Sequence, residues 1–189
     1  DELTLRGVVL PNRIVLGPMQ MYMAPDGIAN EWHFRHLSGF ARGGFGMVFT
    51  EALAVEARGR ATYGDMGAWS DEHVPGLTRL ADEVRKAGAV PAAQIWHAGP
   101  KASRRRPWNG PAPLDSADEA KGERPWQPVG PSAQSKVEGW RDVHPLRTEE
   151  VAGVTQRFAD AARRCDAAGF DVLEVHAAHG YLLHSFFSP

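Results

Sequence analysis

Ala167-Ala-Gly-Phe-Asp-Val-Leu-Glu-Val-His-Ala-Ala-His-Gly-Tyr181 passes from a helix into a strand and then into a polar turn. Gly169 suits a helix C-terminus, the apolar run after it predicts a short buried strand, and His176, His179 and Tyr181 fall just past its C-terminal end. In parallel α/β folds, side chains from several strand ends converge at that position on a ligand. Two imidazoles there can jointly hold a carbonyl or phenolate oxygen, and a phenol beside them can deliver a proton. The His-x-x-His spacing also suits a metal, and such histidines also serve structural ends. No cysteine partner and no His-Glu-x-x-His pattern accompanies them, so three readings stand on motif alone.

The helix-to-strand junction at Ala168-Gly-Phe-Asp171 recurs at Gly43-Gly-Phe-Gly46 and Ala87-Gly-Ala-Val90. Around these junctions the elements fall into order. Leu3 to Pro11 reads as a hairpin or extended entry, followed by a first core strand at Ile14-Val-Leu-Gly17 and a turn at Pro25-Asp-Gly27. Asn30 to Ala41 predicts a helix with Trp32, His36, Leu37 and Phe40 near one face, and Met47 to Glu51 a second strand. From Asp71, Leu77, Leu80, Val84 and Ala87 recur at helical spacing up to Gly88. A third strand, Val90 to Trp96, ends in His97-Ala-Gly-Pro-Lys101. Thr148 is the expected N-cap of the clearest helix, whose buried stripe is Val151, Val154, Phe158, Ala161 and Cys165.

Residues 102–146 differ in kind, being rich in proline and carrying Trp108, Trp126 and Trp140. The aromatics predict a long ordered loop, either a substrate-facing excursion or a packing loop. Arg104-Arg105-Arg106 within it is a local basic cluster that reads as a solvated loop or as an anion contact.

At 189 residues and 43% hydrophobic composition the chain can bury one substantial core. A formal charge of −2 gives no footprint for nucleic acid, and no apolar run is long enough for a bilayer. The lone Cys165 excludes a disulfide framework within the chain and fits a reducing, cytoplasmic setting.

Repeated strand–helix units imply a parallel sheet. A doubly wound nucleotide fold lacks its Gly-x-Gly-x-x-Gly after the first strand, whereas polar residues after every strand suit a (β/α)₈ TIM barrel. Four strands cannot close such a barrel, so the expectation is half a barrel over 1–189, about four βα units, seen without its second half or pairing with another chain, or else a smaller open sheet.

The chain also resembles a known family, the old yellow enzymes, which are FMN-dependent ene-reductases on a (β/α)₈ barrel. The carriers are Pro11-Asn-Arg13, Pro18-Met19, Glu51-Ala52, Gly59-Arg60, Trp69-Ser-Asp-Glu-His73, Gln94 with His97-Ala-Gly99, and His176-Ala-Ala-His-Gly-Tyr-Leu182, in the family's order. The resemblance implies FMN as cofactor and NAD(P)H as reductant, with an α,β-unsaturated carbonyl compound as substrate. It implies that Pro18, Met19, Gln20, Ala52 and Gln94 line the flavin and that His176 and His179 bind the substrate's carbonyl oxygen. Tyr181 would give the proton, and Tyr22 and Lys101 would lie at the substrate pocket. Gln20 stands where the bacterial branch often has a cysteine, and Pro100 where a basic residue is usual. The resemblance further implies a C-terminal barrel half as partner, carrying the phosphate site, and self-association as an open expectation.

Two other classes compete. A metal-dependent barrel hydrolase would use His97, His176 and His179, and a non-catalytic half-barrel module would self-associate through exposed strand edges.

Overall fold

Four parallel strands pair in strict chain order in the computed structural model, which describes residues 1–110, 112–133 and 140–188. An N-terminal hairpin, β1 (Leu3–Leu5) and β2 (Val8–Leu10), precedes the sheet of β3 (Val15–Leu16), β4 (Met47–Ala54), β5 (Val90–Trp96) and β8 (Val172–Val175). Helices α1 (Glu31–Arg42), α2 (Val74–Lys86) and α4 (Thr148–Ala167) connect them. Between β5 and α4 lie a short α3 (Ser116–Glu119) and a small parallel pair, β6 (Val129–Gly130) with β7 (His144–Pro145). Helix α5 (Leu182–Phe187) follows β8. No helix among the described residues is long and apolar enough to cross a membrane.

Side-chain direction distinguishes a barrel wall from a doubly wound sheet. Val48, Leu53, Ala93 and Ile95 point to one side of the sheet, where they join Phe34 and Leu37 of α1, Leu77 and Leu80 of α2 and Ala161 and Cys165 of α4 in a single core. All three helices therefore cover the same face. On the other face Met47, Phe49 and Ala92 meet Leu10 of the hairpin, which plugs the lower end. Higher up, Ala52, Ala54 and Trp96 form a separate cluster. An inner lining, an outer helical layer and sequential strand order together make half of a (β/α)₈ arrangement.

Several local expectations are corrected. The first core strand pairs only over Val15–Leu16. Within this chain β8 pairs with β5 alone, and its Leu173 and Val175 are 40% and 49% exposed. Thr148 is the first residue inside α4 rather than its cap. Arg147 takes the cap position, and its backbone N–H donates to Glu150 at 3.0 Å. On α1, Leu37 is buried with His33 and Phe34, while Trp32, His36 and Phe40 stack along the helix flank. The basic cluster is engaged internally: Arg105 binds Asp115 and Asp118 at 2.7 and 2.8 Å, and Arg106 pairs with Glu123. Of the proline-rich segment 102–146, position 111 and residues 134–139 lie outside the described residues.

One irregularity in β4 determines what faces the inner side. Phe49 is opposite Ala92 and Ala52 is opposite Gln94, so β4 spends three residues where β5 spends two. This bulge turns Ala52 toward the sheet's inner face and Glu51 away from it.

Candidate active site

The inner face opens at the C-terminal ends of the strands into a cavity of about 600 Å³. Each wall comes from a different strand end. Pro18 and Gln20 follow β3, Ala52 lies on β4, Gln94 and Trp96 on β5, and His176, His179 and Tyr181 follow β8. Residues more than 150 positions apart are thus brought together because parallel strands place all their C-termini at one end.

The histidine pair is in direct contact. His179 Nδ1 lies 3.3 Å from His176 Nε2, and the rings stand at 80°. The Ala178 N–H donates to His176 Nδ1 at 3.3 Å, which places the ring proton of neutral His176 on Nε2. Burial, then the neighbouring His179, lowers the His176 pKa below its ordinary 6.5, so the ring is neutral at pH 7. Trp96 backs the site: it meets Tyr181 edge-on at 4.6 Å and lies nearly parallel to His176 at 6.1 Å. Its indole N–H is buried without a hydrogen-bond partner.

Gln20 is bonded at one end only. Its Oε1 accepts the Ala52 backbone N–H at 2.7 Å, while its Nε2 is buried with no acceptor. Gln94 donates to Glu174 across β5 and β8. Trp96 and Glu174 were not singled out from sequence as site residues. The signal was available in the two-residue period, since Gln94 and Trp96, like Glu174 and His176, share a strand face.

Three sequence-predicted residues do not line the cavity. Met19 is 46% exposed. Tyr22 adopts φ 60° in the turn after β3 and packs edge-on against Trp108 at 5.8 Å. Lys101 passes behind the histidine turn, donating from Nζ to the His179 carbonyl at 2.6 Å and lying 5.3 Å from the Tyr181 ring centroid. His179 itself has φ 59°. A left-handed conformation costs a non-glycine residue roughly 1–2 kcal/mol, so both turns store strain.

Beneath the site two acidic residues bind its loops. Glu51 accepts the backbone N–H groups of Met21 and Met66 at 2.9 and 3.0 Å, joining the turn after β3 to the loop after β4. Burial pushes its pKa up to about 8. His97 is fully buried: Gly99 N–H donates to its Nδ1 at 2.9 Å, so its Nε2 proton goes to Glu56 at 2.8 Å. With both ring nitrogens engaged, His97 does not join His176 and His179 in a metal set. Among the described residues no cluster of His, Cys, Asp or Glu could hold a metal ion.

The comparisons with known proteins agree with one another. The profile of the NADH:flavin oxidoreductase / NADH oxidase family matches residues 2–189. An NADPH dehydrogenase of Listeria welshimeri is 41% identical over 191 residues, covering 100% of this chain and 51% of its own length. An NADH:flavin oxidoreductase of Gibberella zeae is 40% identical, covering 99% of this chain and 45% of its own length. The chain thus spans about half the length of the curated relatives it matches. Among solved structures, a 2-naphthoyl-CoA reductase complex superposes with a TM-score of 0.80 at 26% identity, covering 96% of this chain and 27% of that one. Morphinone reductase in complex with tetrahydroNAD gives 0.78 at 25%, covering 96% and 50%. The old yellow enzyme homologue from Zymomonas mobilis gives 0.78 at 26%, covering 96% and 49%.

Proposed function

Because the chain belongs to the NADH:flavin oxidoreductase / NADH oxidase family, we propose that it supplies the first half of an FMN-dependent barrel. In this reading the barrel reduces the C=C bond of α,β-unsaturated carbonyl compounds with NAD(P)H. The contact between His176 and His179 at the cavity mouth carries the reading.

The residues present fit the cofactor. Gln20 Nε2 is a buried donor without an acceptor, a state that a polar ring edge relieves. Pro18 and Ala52 offer an apolar wall beside it, and Gln94 a second amide. FMN, when bound, supplies the hydride relay between nicotinamide and alkene. The remaining chemistry belongs to the chain. The His176 Nε2–H faces His179 Nδ1, which leaves the neutral His179 ring its proton on Nε2. A carbonyl oxygen seated at the pair accepts that N–H and competes with Nδ1 for the one on His176, and the electron density drawn there leaves the β-carbon electrophilic. A neutral His176 acts as a hydrogen-bond donor and keeps its proton. Tyr181, held edge-on by Trp96, keeps a hydroxyl proton for the α-carbon. The remainder of the barrel, matching the other half of the relatives' length, completes the cofactor site.

The test is the visible spectrum of the full-length protein with and without phenol. A yellow protein that gains a long-wavelength band with phenol, and loses that band in His179→Ala, supports the reading. A colourless full-length protein, or a band indifferent to His179→Ala, overturns it.

A further inference from the structure

Two non-glycine residues of the site turns adopt left-handed backbone conformations, Tyr22 at φ 60° and His179 at φ 59°. Both have their carbonyl oxygen held by a cation, and both cations come from the same short stretch. Lys101 Nζ donates to the His179 carbonyl at 2.6 Å, and Arg106 Nε donates to the Tyr22 carbonyl at 3.3 Å. We propose that Lys101–Arg106 is the positioning element of the site, a strap in which Lys101 fixes the His179 imidazole and Arg106 fixes the Tyr22 phenol.

The strap is itself firmly anchored. Arg104 N–H donates to the Ala61 carbonyl at 2.8 Å, and Arg105 N–H to that of Ala112 at 2.9 Å. Ser103 is fully buried at φ 62°, its hydroxyl accepting the Trp126 N–H and its carbonyl the Leu114 N–H, each at 2.9 Å. Arg106 is held in turn by Glu123. Glycines make room for the contacts: a Cβ at Gly180 would stand 3.1 Å from Lys101 Nζ, and one at Gly64 would stand 2.2 Å from the Tyr22 carbonyl oxygen. A left-handed residue whose carbonyl is released relaxes toward negative φ, and its side chain swings with it. The two cations therefore act through the backbone, keeping His179 against His176 and Tyr22 against Trp108.

The inference rests on the His-pair reading above, and the test separates the two. In the full-length protein, labelled at histidine, the nuclear Overhauser effect between the His176 and His179 ring protons reports the pair's geometry with or without FMN, and phenol titration reports its use. Lys101→Met is expected to lose the ring contact and weaken phenol binding about tenfold, and Lys101→Arg to restore both. Arg106→Met is expected to lose the edge-on contact between Tyr22 and Trp108, read as a ring-proton nuclear Overhauser effect, while leaving the histidine ring contact intact. An unchanged ring contact in Lys101→Met overturns the strap, even if phenol affinity falls, because Lys101 would then act by its charge alone. An unchanged Tyr22–Trp108 contact in Arg106→Met removes the Tyr22 arm. Wild-type phenol affinity in His179→Ala overturns the His-pair reading and the strap with it.

Discussion

Gln20 accepts the Ala52 backbone N–H at 2.7 Å and so fixes its own amide, leaving Nε2 buried with nothing to donate to. A long polar side chain is thereby turned into a rigid part of the cavity wall. Replacing it by methionine keeps the length but strands the Ala52 N–H. We expect Gln20→Met to lower the free energy of unfolding by about 1–3 kcal/mol. Urea denaturation checks this, and an unchanged midpoint would show that the Ala52 N–H finds another acceptor.

Glu51 gives the fold an alkaline weakness. Burial raises its pKa from 4.5 to about 8, outweighing the Met66 and Met21 N–H groups that pull it down. A carboxyl whose pKa is higher in the folded state holds its proton there while the unfolded chain has lost it. Its stabilising contribution is complete below about 4.5 and falls as pH rises toward about 8. Melting temperatures of the wild type from pH 5 to 9 should therefore drop relative to Glu51→Gln. Parallel curves would mean that Glu51 is already ionised at pH 5.

Glu56 works in the opposite direction. Burial alone would raise its pKa, but the bonds from His97 and Arg58 hold it down at about 2. Its contribution is present above the unfolded value of 4.5 and is lost as pH falls toward 2. Acid unfolding of Glu56→Gln should show a shallower loss of stability over that range than wild type, with a lower starting stability at pH 7. The comparison fails if both proteins lose stability at the same rate.

Gly99 sits at φ +59°, and a Cβ there would fall 2.7 Å from the backbone of Leu182. The Leu182 N–H donates to the His97 carbonyl at 3.1 Å, so this close approach joins the end of β5 to the histidine turn. Gly99→Ala should destabilise the protein by about 1–3 kcal/mol and disturb His176 and His179. Histidine ring chemical shifts resolve the two effects, and unmoved shifts would confine the damage to packing.

Much of the fold was legible because its signals are local. The spacing of Leu77, Leu80 and Val84 follows from the helical period, and all three are buried on α2. Gly88 and Gly169, which close α2 and α4, take φ +99° and +87°, conformations that a side chain would resist. Parallel strand order and the placing of His176 and His179 beyond β8 follow from the same short-range pattern. The departures were local too: the first core strand pairs only over Val15–Leu16, and Arg147 rather than Thr148 takes the cap position of α4.

The sequence by itself determined the element types, their order and the strand ends that line the cavity, since each depends on backbone geometry within a few residues. Only the tertiary structure decided that the β4 bulge turns Ala52 inward and Glu51 away. The same holds for Lys101 reaching His179 across 78 positions and Arg106 reaching Tyr22 across 84. Such contacts depend on sheet register and on the path of a long connection, which arise from the packing of the whole core and leave no periodic trace in the chain.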